Sequence, residues 1–315
     1  MGGDVSGQRQ AERKASRVTE LAEQYLTDYA ELHKKPSSVV SDRAIIDNHI
    51  LPLIGSMKIA DVARSDIEHV KLSIRNGKTA AKRNAKPRGR RLIRGGPVVA
   101  NRAIALLSKM FGCAVDWGLR ETNPASSIKK FRENRKDRFL DASEVGRLLT
   151  ALDNAESEET ESPYAIAAIR VLLFTGLRRG EVAGLRWADV DLDRASLRLD
   201  DTKTGGRTVP LNSEAVQILK NLPRAYRGDT VFQSLQKDGQ IALTRPWYRI
   251  RKAAGIDSSA TLHTLRHTFA SWSVMGGLSL AQVGALLGHK SAQTTLRYAD
   301  HIQDAVRQYS EQTAS

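Results

Sequence analysis

The feature that most constrains this fold is a break near the middle of the chain. Asn123-Pro124 and the charged run from Lys129 to Arg138 interrupt two long stretches whose apolar residues recur three and four apart. Such a segment cannot sit inside a core, so the 315 residues divide into two compact units. Residues 18–122 read as the first unit, 123–138 as a linker and 139–301 as the second. Residues 1–17 are polar, basic and Gly-containing and read as a disordered basic tail, with 302–315 as a C-terminal tail.

Within the first unit, Leu21, Ala22, Tyr25, Leu26, Tyr29 and Leu32 predict an amphipathic helix from Val18 to before Pro36. A second runs from about Ser38 to Ile50 and is broken by Pro52 and Gly55. Ile59, Val62, Ile67, Val70, Leu72 and Ile74 predict one or two more helical stretches, with Ser65 and Asp66 as a cap. After Pro97 a strong helix passes through Ala100, Ile104, Leu107, Met110, Phe111 and Val115 and closes at Gly118. Cys113, the single cysteine, lies among the apolar residues of that helix and reads as a buried structural thiol. Between these helices, Lys82 to Arg94 holds seven cations and no acid, which excludes a core element and predicts a flexible exposed segment.

The second unit starts with Asp141, Ser143 and Glu144 at the head of a helix, and Ala165–Phe174 is apolar enough to be buried all round. Two β-like stretches, Ser196–Leu199 and Thr208–Leu211, flank Lys203-Thr204-Gly205-Gly206 and read as a hairpin. Everything after Ser213 looks helical again. The predicted fold class is mainly α: a helical domain, then a mostly helical α+β domain with a small antiparallel sheet.

Charge points to a partner. Lys and Arg number 49 against 35 Asp and Glu, a net +14, and such a surface attracts polyanions. Residues 1–138 hold 28 basic and 15 acidic residues, net +13, and residues 139–315 hold 21 and 20, net +1. The generic attraction therefore belongs to the front of the chain. No apolar signal core is seen at the N-terminus, and no run approaches the roughly 20 apolar residues that a membrane span needs. The expectation is a cytoplasmic protein, in a prokaryote close to the DNA, with no membrane partner.

Four patches of the second unit set a polar residue against an apolar helix. They are Thr175-Gly176-Leu177-Arg178-Arg179-Gly180-Glu181, then Lys203, then His263-Thr264-Leu265-Arg266-His267, then Leu287-Gly288-His289 through to Tyr298. Singly, each has an ordinary structural explanation, such as a surface ion pair or a solvated lysine. In this order, they resemble the signature of the tyrosine recombinase (phage integrase) family over essentially all of residues 139–301. The resemblance implies that Arg178 and Arg266 are the two catalytic arginines, Glu181 their acidic support and Lys203 the mobile hairpin lysine. It also implies that His263 and His289 are the two catalytic histidines and Tyr298 the nucleophile. One departure follows the tyrosine, where many relatives carry a histidine and this chain has Asp300.

The first unit resembles the family's helical core-binding domain through Ile50, Pro52, Leu53, Gly55, Ile59, Asp66, Ile67, Asn101 and Asn123-Pro124. The resemblance implies a two-domain clamp around double-stranded DNA, working as a homotetramer on synapsed sites with accessory DNA-bending proteins as candidate partners. No separate arm-site DNA-binding domain is expected ahead of residue 18. The C-terminal segment Ile302–Tyr309 then packs either on its own domain or on a neighbouring protomer. Lys82, Arg83, Lys86, Arg88, Arg90, Arg91 and Arg94 are the candidate phosphate contacts.

The chemistry agrees with that assignment. Attack on a phosphodiester builds charge on nonbridging oxygens, which planar guanidiniums meet bidentately, with a histidine as a further donor. A phenol, with a pKa near 10, needs neighbouring cations or a base such as His263 to become a nucleophile. No Asp/Glu cluster of the two-metal kind and no phosphate-binding loop occurs in the sequence, so no metal, ATP or other cofactor is expected. Two rivals remain: a type IB topoisomerase-like monomer sharing the Arg, Lys and Tyr chemistry, and a basic helical DNA-binding regulator without catalysis.

Overall fold

The computed structural model describes residues 16–85, 89–133, 138–199, 205–224, 229–234 and 240–299, and it divides into two units, Met1–Arg135 and Lys136–Ser315. In the first unit, α1 (Val18–Gln24) runs through a π-helical stretch (Tyr25–Ala30) into α2 (Glu31–His33). Next, α3 (Pro36–Ile45) continues through a second π-helical stretch (Ile46–Ile50) into α4 (Leu51–Ile54). The predicted break at Pro52 does not occur. In the widened turn the Leu51 N–H donates to Ile46 O, so the hydrogen-bond ladder has already left its regular register where Pro52 offers no donor.

A 3₁₀ turn (Ile59–Asp61) leads to α5 (Arg64–Arg75). Asp66 Oδ2 accepts from Ala63 N at 2.8 Å, so the capping residue before the helix is Ala63 rather than Ser65. The basic segment, read from the sequence only as exposed and flexible, carries an antiparallel ribbon, β1 (Ala81–Ala85) and β2 (Gly89–Ile93), with Ala81 opposite Ile93 and Ala85 opposite Gly89. Alternating polarity marks a strand only where one of its faces is buried, so a cation-rich ribbon leaves no such pattern in the sequence. Lys86 and Arg88 lie outside the described residues.

The 20-residue α6 (Pro97–Asp116) forms the centre of this unit. By length and composition it could cross a membrane, which corrects the expectation that no segment approaches a span. Its apolar residues instead share one core with those of α1, the π-helical stretch after it and α5: Ala103, Leu107, Met110 and Phe111 are buried in the same cluster as Leu21, Tyr25, Ile67 and Ile74. Cys113 is buried and free, and burial raises its pKa. Gly118, at φ 70°, follows the helix in the left-handed conformation. Much of the stretch read as a linker packs on this unit. Ala125 and Ile128 join its core, and buried Asn101 accepts from Phe131 N at 2.8 Å and donates to Phe131 O at 2.9 Å.

The second unit opens with α7 (Ala142–Ser157), where Asp141 and Glu144 cap each other's backbone N–H. Helix α8 (Pro163–Thr175) is buried on nearly every side and organises the core. After the short α9 (Arg179–Ala183), strands β3 (Val190–Asp191), β4 (Ser196–Leu199) and β5 (Arg207–Pro210) form an antiparallel sheet in that order, with Leu197 opposite Val209. The chain then forms α10 (Ser213–Asn221), α11 (Thr244–Ala253), α12 (Leu262–Met275), α13 (Leu280–Leu287) and α14 (Ala292–Thr295), with a 3₁₀ turn at Leu296–Tyr298. Ala270, Val274, Val283, Leu287 and Tyr298 make a small satellite core between α12, α13 and that turn.

Candidate active site

The site begins where α8 stops. Gly176 takes the left-handed conformation (φ 63°), and a Cβ there would lie 2.4 Å from the Phe269 ring, so glycine is required twice over. Two residues on, Arg178 precedes α9, and Glu181 in the first turn reaches back to accept from Arg178 N at 2.8 Å and Arg178 Nη1 at 2.7 Å. The capping carboxylate thus also aims the guanidinium, whose Nη2 donates to Gly288 O at 3.0 Å.

Arg207 on β5 grips the same carboxylate with both ends of its fork, at 3.1 Å and 3.0 Å. It also lies over Gly288 (φ 64°), where a Cβ would come within 2.5 Å of its Nη1. Arg207 therefore links the strand after the Lys203 hairpin to the turn bearing His289. Burial alone would raise the Glu181 pKa, but the hydrogen bonds from Arg207 and Arg178 outweigh it and hold the carboxyl below its ordinary range.

Arg266 on α12 is only 3% exposed, and its forks end on carbonyls: Nη1 donates to Gly176 O and Nη2 to Leu287 O, each at 2.8 Å. Both acceptors lie at helix C-termini, of α8 and α13, whose unpaired carbonyls carry partial negative charge. Carbonyl partners hold the guanidinium without neutralising it. Burial first, and Arg178 next, lower its pKa to about 10, so it stays cationic at neutral pH.

Three histidines share this environment. His289 follows Gly288 and its Nδ1 lies 2.8 Å from Thr295 Oγ1; burial, then Arg266, Arg178, Arg297 and Arg207, push its pKa down to about 4. His263, in the first turn of α12, is lowered by burial and then by Arg266, Arg297 and Arg178. His267, one turn further on, meets His263 edge-on at 4.5 Å between ring centres, and burial ahead of the neighbouring His263 and arginines takes it to about 3. All three are neutral at physiological pH.

Tyr298 is 4% exposed, and its hydroxyl lies 2.7 Å from His267 Nδ1. The structure therefore gathers Arg178, Glu181, Arg266, His263, His289 and Tyr298 in the second unit, while Lys203 lies outside the described residues. The sequence offers His263 as a base for the phenol; the structure adds His267, whose Nδ1 lies within hydrogen-bond distance of it. It was visible only as the fourth residue after His263, a spacing that shares one helical face. Arg207 carried no sequence signal beyond its place after the hairpin. Of the basic segment, Arg94 is exposed, Lys82 and Arg83 lie on β1, and Arg90 and Arg91 on β2. The described residues contain no group of His, Cys, Asp and Glu arranged to hold a metal.

The profile of the phage integrase family matches residues 138–304. The chain belongs to that family. A second profile, the phage integrase N-terminal SAM-like domain, matches residues 18–71. Among curated relatives, the shufflon-specific DNA recombinase of Escherichia coli is 31% identical over 211 residues, 65% of this chain and 52% of that protein. The prophage integrase IntF of Escherichia coli K12 is 29% identical over 63% of this chain and 41% of its own length. The tyrosine recombinase XerD of Yersinia pestis is 30% identical over 67% of this chain and 74% of its own. This phage integrase homologue thus spans about half the length of the first two relatives. In fold it is similar to lambda integrase, solved as a dimer bound to a core site, with a TM-score of 0.71 at 19% identity over 94% of this chain and 81% of that one. It is also similar to the lambda integrase tetramer bound to a Holliday junction, with a TM-score of 0.69 at 20% identity, covering 93% and 82%.

Proposed function

We propose that the protein is a site-specific DNA recombinase that cleaves and rejoins strands through a 3′-phosphotyrosine at Tyr298, acting in the cytoplasm. The observation that carries this reading is the buried Arg266, held by backbone carbonyls beside Arg178, which Glu181 aims from the first turn of α9: two guanidiniums fixed side by side. In the reaction, the Tyr298 oxygen attacks phosphorus and the 5′ oxygen departs with a proton from Lys203. Arg178 and Arg266 receive the charge that develops on the nonbridging oxygens, and His289 adds a donor. Glu181 orients Arg178, while His263 assists removal of the phenolic proton. A second 5′-hydroxyl then attacks the phosphotyrosine, restoring the phosphodiester and the free tyrosine. Bond energy is conserved throughout, so the scheme needs no ATP, and the guanidiniums of Arg178 and Arg266 take the charge-stabilising part that a metal plays in other phosphoryl transfers.

The lambda integrase assemblies, on core-site DNA and on a Holliday junction, support double-stranded core sites as the substrate and a tetramer as the working unit. We assign DNA clamping to residues 18–122 and catalysis to 139–301, with 302–315 available to a neighbouring protomer and DNA-bending proteins as accessory partners. Lys82, Arg83, Lys86, Arg88, Arg90, Arg91 and Arg94 supply phosphate contacts. The test is a suicide duplex nicked near its cleavage site, which traps the adduct. The wild-type chain should form a covalent complex and Tyr298→Phe should bind without forming one; an adduct with the Phe variant removes Tyr298 from the reaction.

A further inference from the structure

His267 has no role in the scheme above, yet among the described residues its ring lies within hydrogen-bond distance of the phenol. Its ring is 8% exposed, with Nδ1 2.7 Å from the Tyr298 hydroxyl and Nε2 3.5 Å from Arg297 Nη1. A guanidinium only donates, so the ring nitrogen facing it must be the acceptor. In a neutral imidazole the single proton then sits on the other nitrogen, Nδ1. That proton points at the Tyr298 oxygen.

We propose that His267 is a positioning residue for the nucleophile: its Nδ1–H donates to the Tyr298 oxygen, fixes the phenol's direction and favours the phenolate over the phenol. The proposal rests on Tyr298 being the nucleophile. A donor to the charged form lowers the energy of that form, which is the direction a phenol of pKa near 10 needs. His267 does not take the proton. It faces His263 and Arg266 on its own helix, His289 from the turn after α13 and Arg297 beside Tyr298, and these with burial keep the ring neutral. A neutral donor in a cationic pocket favours the anion without competing for its proton.

Two measurements test this. The ¹⁵N shifts of His267 in the full-length protein should report a neutral ring protonated at Nδ1; a ring protonated at Nε2 reverses the hydrogen bond and overturns the proposal. Single-turnover cleavage of the nicked suicide duplex should then be followed from pH 6 to 10 in wild type, His267→Leu and His267→Asn. Losing one hydrogen bond to a charged group should slow His267→Leu on the order of ten- to a hundredfold at neutral pH. The apparent pKa of the alkaline rise should move up by roughly one unit, since one unit corresponds to a tenfold change. In His267→Asn the side-chain N–H₂ falls near the position of Nδ1, and most of the rate and the original pH profile should return. Equal slowing at every pH would reduce His267 to packing, and a rate at or above wild type would make it a restraint on Tyr298; either result ends the proposal. Absence of any adduct in the wild-type chain would instead remove the recombinase reading, while the tautomer measurement needs no variant to fold.

Discussion

The two halves of the chain carry positive charge in opposite ways. Residues 1–138 hold a net +13, much of it concentrated between Lys82 and Arg94, whereas residues 139–315 are nearly balanced at +1 and yet contain the cationic site. In the first half the charge is a quantity. In the second it is a placement: Arg266 is buried on carbonyls, Arg178 and Arg207 share Glu181, and burial with the neighbouring arginines lowers the pKa of His263, His267 and His289. Net charge forecasts affinity for a polyanion and its salt dependence, while buried, oriented charge forecasts chemistry.

The sharpest way to break this contrast is to remove placed charge. Arg178→Ala and Arg266→Ala should each slow strand cleavage by the order of 10² or more, as the loss of a preformed donor to a developing anion does, with little change in the salt dependence of binding. Normal single-turnover rates in either variant would exclude that arginine from the site. Lys203 tests the same region from the leaving-group side. A 5′-phosphorothiolate, whose sulfur departs without a proton, should restore cleavage to Lys203→Ala; rescue of a different variant would move the general acid elsewhere.

Removing quantity should act differently. Replacing Arg88, Arg90 and Arg91 with Ala should lower the slope of log affinity against log salt by roughly two to three, equally on target and random duplexes, with the cleavage rate of saturated complexes retained. An unchanged slope in salt titrations of the triple variant would free the ribbon from the DNA backbone.

The smallest expected effect is on stability. His267 and His289 titrate near 3 and 4 when folded but near 6.5 when unfolded, so between those values the unfolded chain binds more protons and stability falls as pH drops from 6.5 toward 4. Glu181, held below its ordinary range, adds loss in the same direction as pH falls through its unfolded value toward its folded one. Urea melts of the full chain at pH 7, 5.5 and 4 should show a falling midpoint; a constant midpoint would contradict the buried, cation-lined histidines.

How much of this was legible varies with the physics involved. Helices α6, α7 and α8 followed from apolar periodicity and the Asp141–Glu144 cap, because those signals are local. Arg178, Glu181, Arg266 and Tyr298 are singled out only by the resemblance of their order and flanking residues to the tyrosine recombinase signature; taken one at a time, each has an ordinary structural explanation. The π-helical passage through Pro52 was not legible, since it depends on a register shift begun several residues earlier. The ribbon at 81–93 was hidden by its cations. His267 and Arg207 were on the page as letters, but their importance lies in what they touch: a phenol 31 residues away and a carboxylate 26 residues away.

The central claim, that this phage integrase homologue does its chemistry through Tyr298, is tested most directly by mapping the trapped adduct. After nuclease and protease digestion of the wild-type complex, mass spectrometry should find the residual nucleotide on the peptide containing Tyr298, joined through a 3′-phosphate. A nucleotide on any other residue, or attachment through a 5′-phosphate, would contradict the account.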